Sequence, residues 1–384
     1  MARPKPWRIK PVMSEYFIGL MSGTSMDGVD AALVEFYDQE AFQDQVALRL
    51  IGHAALPYPP GLRAALLQLQ TPGHDELHRA AMLGQQLAGL YANAAREVLR
   101  VSGISADQVR AIGCHGQTVR HAPHQGYTLQ LCNLAELAEL TDIEVIGDFR
   151  SRDVAAGGQG APLVPAFHQA VFADEQQARV IVNIGGISNL SLLLPGQVVS
   201  GFDCGPGNML LDAWCQRHQG QPFDRDGAWA ASGTAHPSLL ANMLAQPFFA
   251  MSPPKSTGRD LFDLAWLAQH LLPFPAISPV DVQATLLALT VESIGDAIET
   301  YGDASAQIYI CGGGVYNLEL LRQLARRLPA ASLADCARLG LPAQQVEATA
   351  FAWLARQTVK HLPGNLPAAT GARGLRVLGA IYPR

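Results

Sequence analysis

Charge is scarce in this sequence. Only 16% of its 384 residues are Asp, Glu, Lys or Arg, against 49% hydrophobic ones. A disordered chain is excluded, because such chains carry too little apolar surface to offset the entropy of ordering. A net charge of −6 and a pI near 6.0 leave no basic footprint for nucleic acid. No apolar run reaches the roughly 18 residues of a spanning helix, so no membrane segment is expected. The six cysteines, Cys114, Cys132, Cys204, Cys215, Cys311 and Cys336, include no C-x-x-C pair. They read as reduced thiols of a cytoplasmic protein, not as a zinc site or disulfide frame.

Three common catalytic signatures are missing as well. Gly23 and Gly28 have the glycine spacing of a P-loop, but Val29-Asp30 stand where Lys-Ser or Lys-Thr is required. No G-x-G-x-x-G follows a strand to open a helix, so a Rossmann site is unsupported. No G-x-S-x-G surrounds Ser22 or Ser25, which argues against a hydrolase nucleophile elbow.

What is present is a pair of strand–turn–strand segments. Residues 17–36 read FIGLMSGTSMDGVDAALVEF, two apolar strands around a Gly/Ser/Thr/Asp turn. Residues 180–208 nearly repeat the plan, with VIVNIGGISNLSLLL followed by FDCGPGN. Turns of this kind gather backbone N–H groups on a concave surface suited to phosphate. Asp27 and Asp30 can reach a metal ion carried by those phosphates. An ordinary hairpin loop is the competing reading of residues 23–28.

Apolar periodicity predicts strands at 16–21, 29–36, 46–53, 109–115, 144–147, 180–184, 190–194 and 308–311, with another ending at Asp203. Helices are expected at about 75–101, 134–140, from 166, and at 209–217, 281–301 and 345–356. The length suggests two domains. We expect a flexible basic arm at 1–15, a first domain at 16–150 joined by 367–384, a hinge at 151–165, and a second domain at 166–366.

The motifs MSGTSMDGVD, CHGQTVRH, IGDFR, NIGGISN, GFDCGPGN, CGGG with Asn317, and VEATAFAWLA occur in this order from residue 16 onward. Together they resemble the anhydro-N-acetylmuramic acid kinases. The resemblance implies an α/β fold of two ribonuclease-H-like, actin-like ATPase domains around a nucleotide cleft. It implies ATP, Mg²⁺, a homodimer and a cytoplasmic place in peptidoglycan recycling, with no nucleic-acid or membrane partner. The implied substrate is 1,6-anhydro-N-acetylmuramic acid, whose ring is opened by water while O6 is phosphorylated.

By the same resemblance Gly23, Thr24, Ser25, Met26, Asp27, Gly28, Val29 and Asp30 form the first phosphate loop, Asp27 lying nearest the metal. Gly185, Gly186, Gly205, Gly207 and Asn208 form the second, and Gly312, Gly313, Gly314 and Asn317 hold the adenosine. Asp203 is the implied catalytic base. Met26 stands where Leu is common, and Cys204 where Thr is common.

Residue chemistry adds detail. Asp203 precedes a helix start whose N–H groups suit phosphate oxygens, although a helix-capping role is the alternative. Glu347 lies on an otherwise apolar helix and is expected to face the cleft, where it holds sugar hydroxyls or orients water. Arg120 or Arg150 suits the substrate's lactyl carboxylate, Arg150 beside Asp148 being the better candidate, and His115 is expected to bond the sugar or Asp148 unless it is structural. The rival functions are a plain hexokinase-like sugar kinase and a non-catalytic actin-like ATPase.

Overall fold

The computed structural model describes residues 14–23, 26–37, 46–259 and 261–384. Thr24 and Ser25 of the first turn, and residues 1–13 of the expected arm, lie outside these residues. The first half of the chain supplies β1 (Ser14–Met21), β2 (Gly28–Tyr37), β3 (Ala47–Pro57) and β4 (Val109–Cys114). A small hairpin, β5 (Gln117–Ala122) with β6 (Tyr127–Leu131), and then β7 (Val145–Gly147) follow. The second half supplies β8 (Arg179–Ile184), β9 (Ile187–Leu193), β10 (Ser200–Pro206), β11 (Gln307–Cys311), β12 (Ser332–Asp335) and β13 (Ala380–Tyr382).

Two mixed sheets result, with orders β13-β7-β4-β1-β2-β3 and β10-β9-β8-β11-β12. In each, three consecutive strands form an antiparallel meander and two later strands continue in parallel from its first strand. This repeated order is the ribonuclease-H-like plan expected from the sequence. The C-terminal tail returns to the first sheet, where β13 pairs with β7.

Seven helices matter for the site: α1 (Glu76–Ser102), α2 (Ser151–Ala155), α3 (Val164–Phe172), α4 (Asn208–Gln219), α5 (Pro279–Tyr301), α6 (Leu318–Arg327) and α7 (Val346–Val359). The placement of α7 departs from the sequence division, which counts it with the second domain. It lies on β1 and β4 of the first sheet. A Cβ on Gly19 would fall 1.8 Å from the Ala348 carbonyl oxygen, and one on Gly113 would fall 2.0 Å from that of Phe351. Only glycine permits that approach of helix to sheet. Phe351 and Trp353 of α7, with Phe167 and Phe172 of α3, then join Phe17 and Ile146 to Ile181 and Tyr309 in one core between the sheets. Separate cores cover the outer face of each sheet.

Candidate active site

Arg150 is the junction of the site. The chain leaves β7 and turns at Asp148, which adopts φ +56°. The exposed Asp148 carboxylate accepts the Ser151 hydroxyl at 2.5 Å. Arg150 then directs Nε and Nη2 to His115 Nε2, at 3.1 and 2.9 Å, and Nη1 to the Gly160 carbonyl at 2.7 Å. A guanidinium only donates, so His115 Nε2 carries the lone pair and its proton sits on Nδ1, 3.1 Å from the Ser22 carbonyl. Burial, then the Arg150 charge, push the His115 pKa well below its ordinary value and keep the ring neutral.

Asp203 reaches the same place from the other sheet. It sits on β10 at the register shift between Asp203 and Gly205. Its N–H donates to the Lys255 carbonyl at 3.1 Å, and its Oδ2 accepts the Thr257 N–H at 2.9 Å. Burial raises its pKa to about 7, against the opposing pull of the Thr257 N–H, Arg150 and Lys255. Lys255 is itself buried, with Nζ 3.3 Å from the Phe248 and Phe249 carbonyls and 4.8 Å from the centre of the Phe248 ring. This strap, residues 253–257, matches none of the sequence motifs, and its Pro-Pro-Lys-Ser-Thr run is the one local signal it carries.

Glu347 opens the first turn of α7. Burial raises its carboxyl to about 7; Asp30 and Asp27 add to the rise, while Arg150 and a hydrogen bond from Asn183 oppose it. Asp30 is open to solvent, yet the cleft walls and then Asp27 lift it to about 6. Asp212 on α4 is likewise raised to about 7, by burial and then by Asp27. Burial lowers the Arg150 pKa, against the charges of Glu347, Asp203 and Asp153. Asp203, Glu347 and Arg150 therefore share one electrostatic neighbourhood.

The glycine turns meet on the second sheet. A Cβ on Gly207 would lie 2.4 Å from the Gly185 carbonyl oxygen. One on Gly312, at φ +77°, would lie 2.4 Å from Asn183 Oδ1, and one on Gly314 would lie 2.4 Å from Ile184 Cγ2. Gly313 faces Asn208, whose Nδ2 donates to the Ile184 carbonyl at 3.0 Å. The expected phosphate donors at the start of α4 are already engaged. Gly207 and Met209 N–H donate to the Gly186 carbonyl at 2.9 and 3.2 Å, and Asn208 N–H donates to that of Gly185 at 2.8 Å. The hairpin turn folds its carbonyls over the helix start. Asn317 caps α6, accepting the Leu320 N–H at 3.0 Å.

The first turn rests on buried polar groups. Gln117 Nε2 donates to the Gly23 carbonyl at 3.2 Å, and Tyr58 donates to Gln117 Oε1 at 3.0 Å. Ser22 and Tyr91 share a hydroxyl–hydroxyl bond beneath it. Met26 is buried at φ +54°, Val29 is buried, and a Cβ on Gly28 would sit 2.4 Å from the Leu56 carbonyl oxygen. Arg120 is engaged elsewhere: its guanidinium pairs with Glu76 of α1 at 2.5 Å.

The family model for anhydro-N-acetylmuramic acid kinase matches residues 15–384. The chain belongs to the anhydro-N-acetylmuramic acid kinase family. A relative of that name from Chromobacterium violaceum is 57% identical over 373 residues, covering 97% of this chain and 100% of its own. Another, from Variovorax paradoxus, is 55% identical over 96% of this chain and 99% of its own. A solved hydroxyisocaproyl-CoA dehydratase activator from Clostridium difficile, with bound ADPNP, aligns over 90% of this chain and 96% of its own at 12% identity and TM-score 0.44. The sequence relatives decide the family. The protein is thus an enzyme, a sugar kinase, and kinase chemistry implies ATP. Among the described residues no helix is long and apolar enough to cross a membrane.

Proposed function

We propose that this member opens the 1,6-anhydro ring of anhydro-N-acetylmuramic acid with water while phosphorylating O6, giving N-acetylmuramic acid 6-phosphate and ADP. The reading rests on the convergence of Asp203 and Glu347 on Arg150, with both carboxyls titrating at about 7. A base with that pKa is matched to work near neutral pH. Asp203 takes a proton from water as the water oxygen bonds to C1 and the bond from C1 to O6 breaks. Its negative charge stabilises the oxocarbenium character at C1. The freed O6 bonds to the γ-phosphorus, and ADP leaves with the electron pair of the broken phosphoanhydride bond.

Glu347 orients the attacking water or holds sugar hydroxyls. Arg150 grips the lactyl carboxylate with its planar fork, while His115 and Asp148 line the same wall. ATP supplies the phosphoryl group, and Mg²⁺ neutralises its charge. The residues fit a magnesium nucleotide: Asp27 and Asp30 are hard oxygen donors beside a turn. Asp27 would approach the metal, Gly23–Asp30 would hold the phosphates, Gly185, Gly186, Gly205, Gly207 and Asn208 would line them with the N–H groups of 207 and 208 turned to carbonyls 186 and 185, and Gly312–Gly314 with Asn317 would hold the adenosine. Among the described residues no group of three or more His, Cys, Asp or Glu side chains could hold a metal alone, so phosphate oxygens would complete the coordination.

Sugar-dependent ADP release in ¹⁸O-labelled water tests the reading. Label at C1, lost with activity in Asp203→Asn, is expected; ADP release without label at C1 would replace the proposal with a plain sugar kinase. A cytoplasmic homodimer belongs to the same proposal, and light scattering that gives the mass of one chain would remove the dimer. So does closure about residues 151–165, with α7 counted to the first lobe; small-angle scattering unchanged by both ligands would remove it.

A further inference from the structure

A second buried acid stands behind Arg150. Asp153 of α2 is 0% exposed. Its Oδ1 accepts Asn365 Nδ2 at 2.7 Å and the Thr370 hydroxyl at 2.8 Å, and its Oδ2 accepts the Gly160 N–H at 2.8 Å. The carbonyl of that same Gly160 receives Arg150 Nη1. The turn wraps the carboxylate with no spare volume, since a Cβ on Gly158 would fall 2.2 Å from Asp153 Oδ2. The C-terminal segment joins in: the Thr370 carbonyl accepts the Gln159 N–H at 2.7 Å, and Asn365 Oδ1 accepts the Arg376 N–H at 2.7 Å. Gln159 Nε2 then donates at 3.1 Å to the Pro254 carbonyl, on the strap that holds Asp203.

We propose that Asp153 is a positioning residue for the sugar: through Gly160, whose N–H it receives and whose carbonyl receives Arg150, it fixes the guanidinium, and Asn365 and Thr370 fix Asp153 in turn. A buried carboxylate is costly unless several donors satisfy it, and here one of those donors is the N–H of Gly160, the residue whose carbonyl aims Arg150. A guanidinium recognises a carboxylate as a rigid fork, so a small loss of aim is felt in binding. The proposal rests on the reading that Arg150 grips the substrate. Asp153→Asn keeps the shape but places an amide donor among three donors.

The test is steady-state ADP release with the full chain, as wild type, Asp153→Asn, Arg150→Gln and the double variant. Asp153→Asn should raise the sugar KM about tenfold or more, the scale for hydrogen bonds to charged groups, and leave the ATP KM within about twofold. In the Arg150→Gln background it should add less than about twofold, since residues acting through one another are not additive. An equal multiplicative effect in both backgrounds, or an unchanged sugar KM in Asp153→Asn, overturns the proposal. An unchanged sugar KM in Arg150→Gln would instead sink the underlying reading of Arg150, and the proposal with it. Should Asp153→Asn fail to fold, Thr370→Val enters the same cycle, with Thr370→Ser expected to restore the sugar KM.

Discussion

The two walls of the cleft are built by different means. On the first-sheet side, Ser22, His115, Arg150 and Asp153 are linked side chain to backbone and side chain to side chain. On the second-sheet side, Gly207, Gly312 and Gly314 pack so closely on Gly185, Asn183 and Ile184 that an added Cβ on each would fall 2.4 Å from them. The first wall has directional, charged recognition suited to a sugar acid. The second is shaped by close glycine packing, with the N–H groups of residues 207–209 turned to the carbonyls of residues 185–186. Specificity for the sugar should therefore fail residue by residue, and nucleotide binding should fail by added bulk.

The largest break comes where the walls meet. Asp203→Asn should lower kcat by about 10³-fold or more, within the range for loss of a general base, and change both KM values little. Comparable loss of activity with a large rise in sugar KM would make Asp203 a binding group. The same variant has a stability signature. Folding raises the Asp203 pKa from 3.8 to about 7, so the folded state retains a proton that the unfolded chain has lost in that window. Stability falls as pH rises from about 4 to 7 and is level above it. Asn carries no charge at any pH, so Asp203→Asn should melt above wild type at pH 8 and near it at pH 4. Differential scanning calorimetry at the two values decides this.

Next in size is Gly312→Ala. The added methyl meets Asn183 Oδ1 and the Ile184 carbonyl, at a φ that L side chains rarely adopt. The ATP KM should rise about tenfold or more and Tm should drop, with the sugar KM within about twofold, since strained positive-φ substitutions are costly. Equal shifts in both KM values would show that the walls are not independent. A third effect is graded. If ionised Asp203 is the base, kcat/KM should climb about tenfold per pH unit below 7 and level off above it. A flat profile between pH 5.5 and 7, the lower part of that limb, would remove the assignment.

The first wall was also the harder one to read from sequence. Glycines announce chain reversals, and the turn at 185–186 lies where the sequence predicts it; β10 runs on to Pro206 instead of ending at Asp203, and alternating apolar runs predict most strands of both sheets. Helix α7 is apolar on nearly every face, which says that it is buried but not against which sheet. Lone glycines inside two strand patterns, Gly19 and Gly113, were the unread sign of a close-lying helix. The occupied N–H groups at the start of α4 depend on where a separate hairpin turn falls. Asp153 meets Asn365 and Thr370 across 212 and 217 positions, a distance at which local pattern carries no information.

The smallest expected effect sharpens the comparison most cheaply, because it separates two arginines of which sequence favours Arg150 without deciding between them. Arg120 and Arg150 both follow strands, and either guanidinium could receive a lactyl carboxylate. In the fold, Arg120 is paired with Glu76 and also donates to its neighbour's carbonyl, Val119, at 3.0 Å. Arg150 is held between His115 and Gly160, in the field of Asp203 and Glu347. A partly exposed ion pair contributes little, so Arg120→Ala should leave the sugar KM and kcat within about twofold. Arg150→Ala should raise the sugar KM by about tenfold or more, as loss of a bidentate charged contact does. If Arg120→Ala had the larger effect, the carboxylate would bind at the β5–β6 hairpin, and the charged wall would extend beyond the group around Arg150.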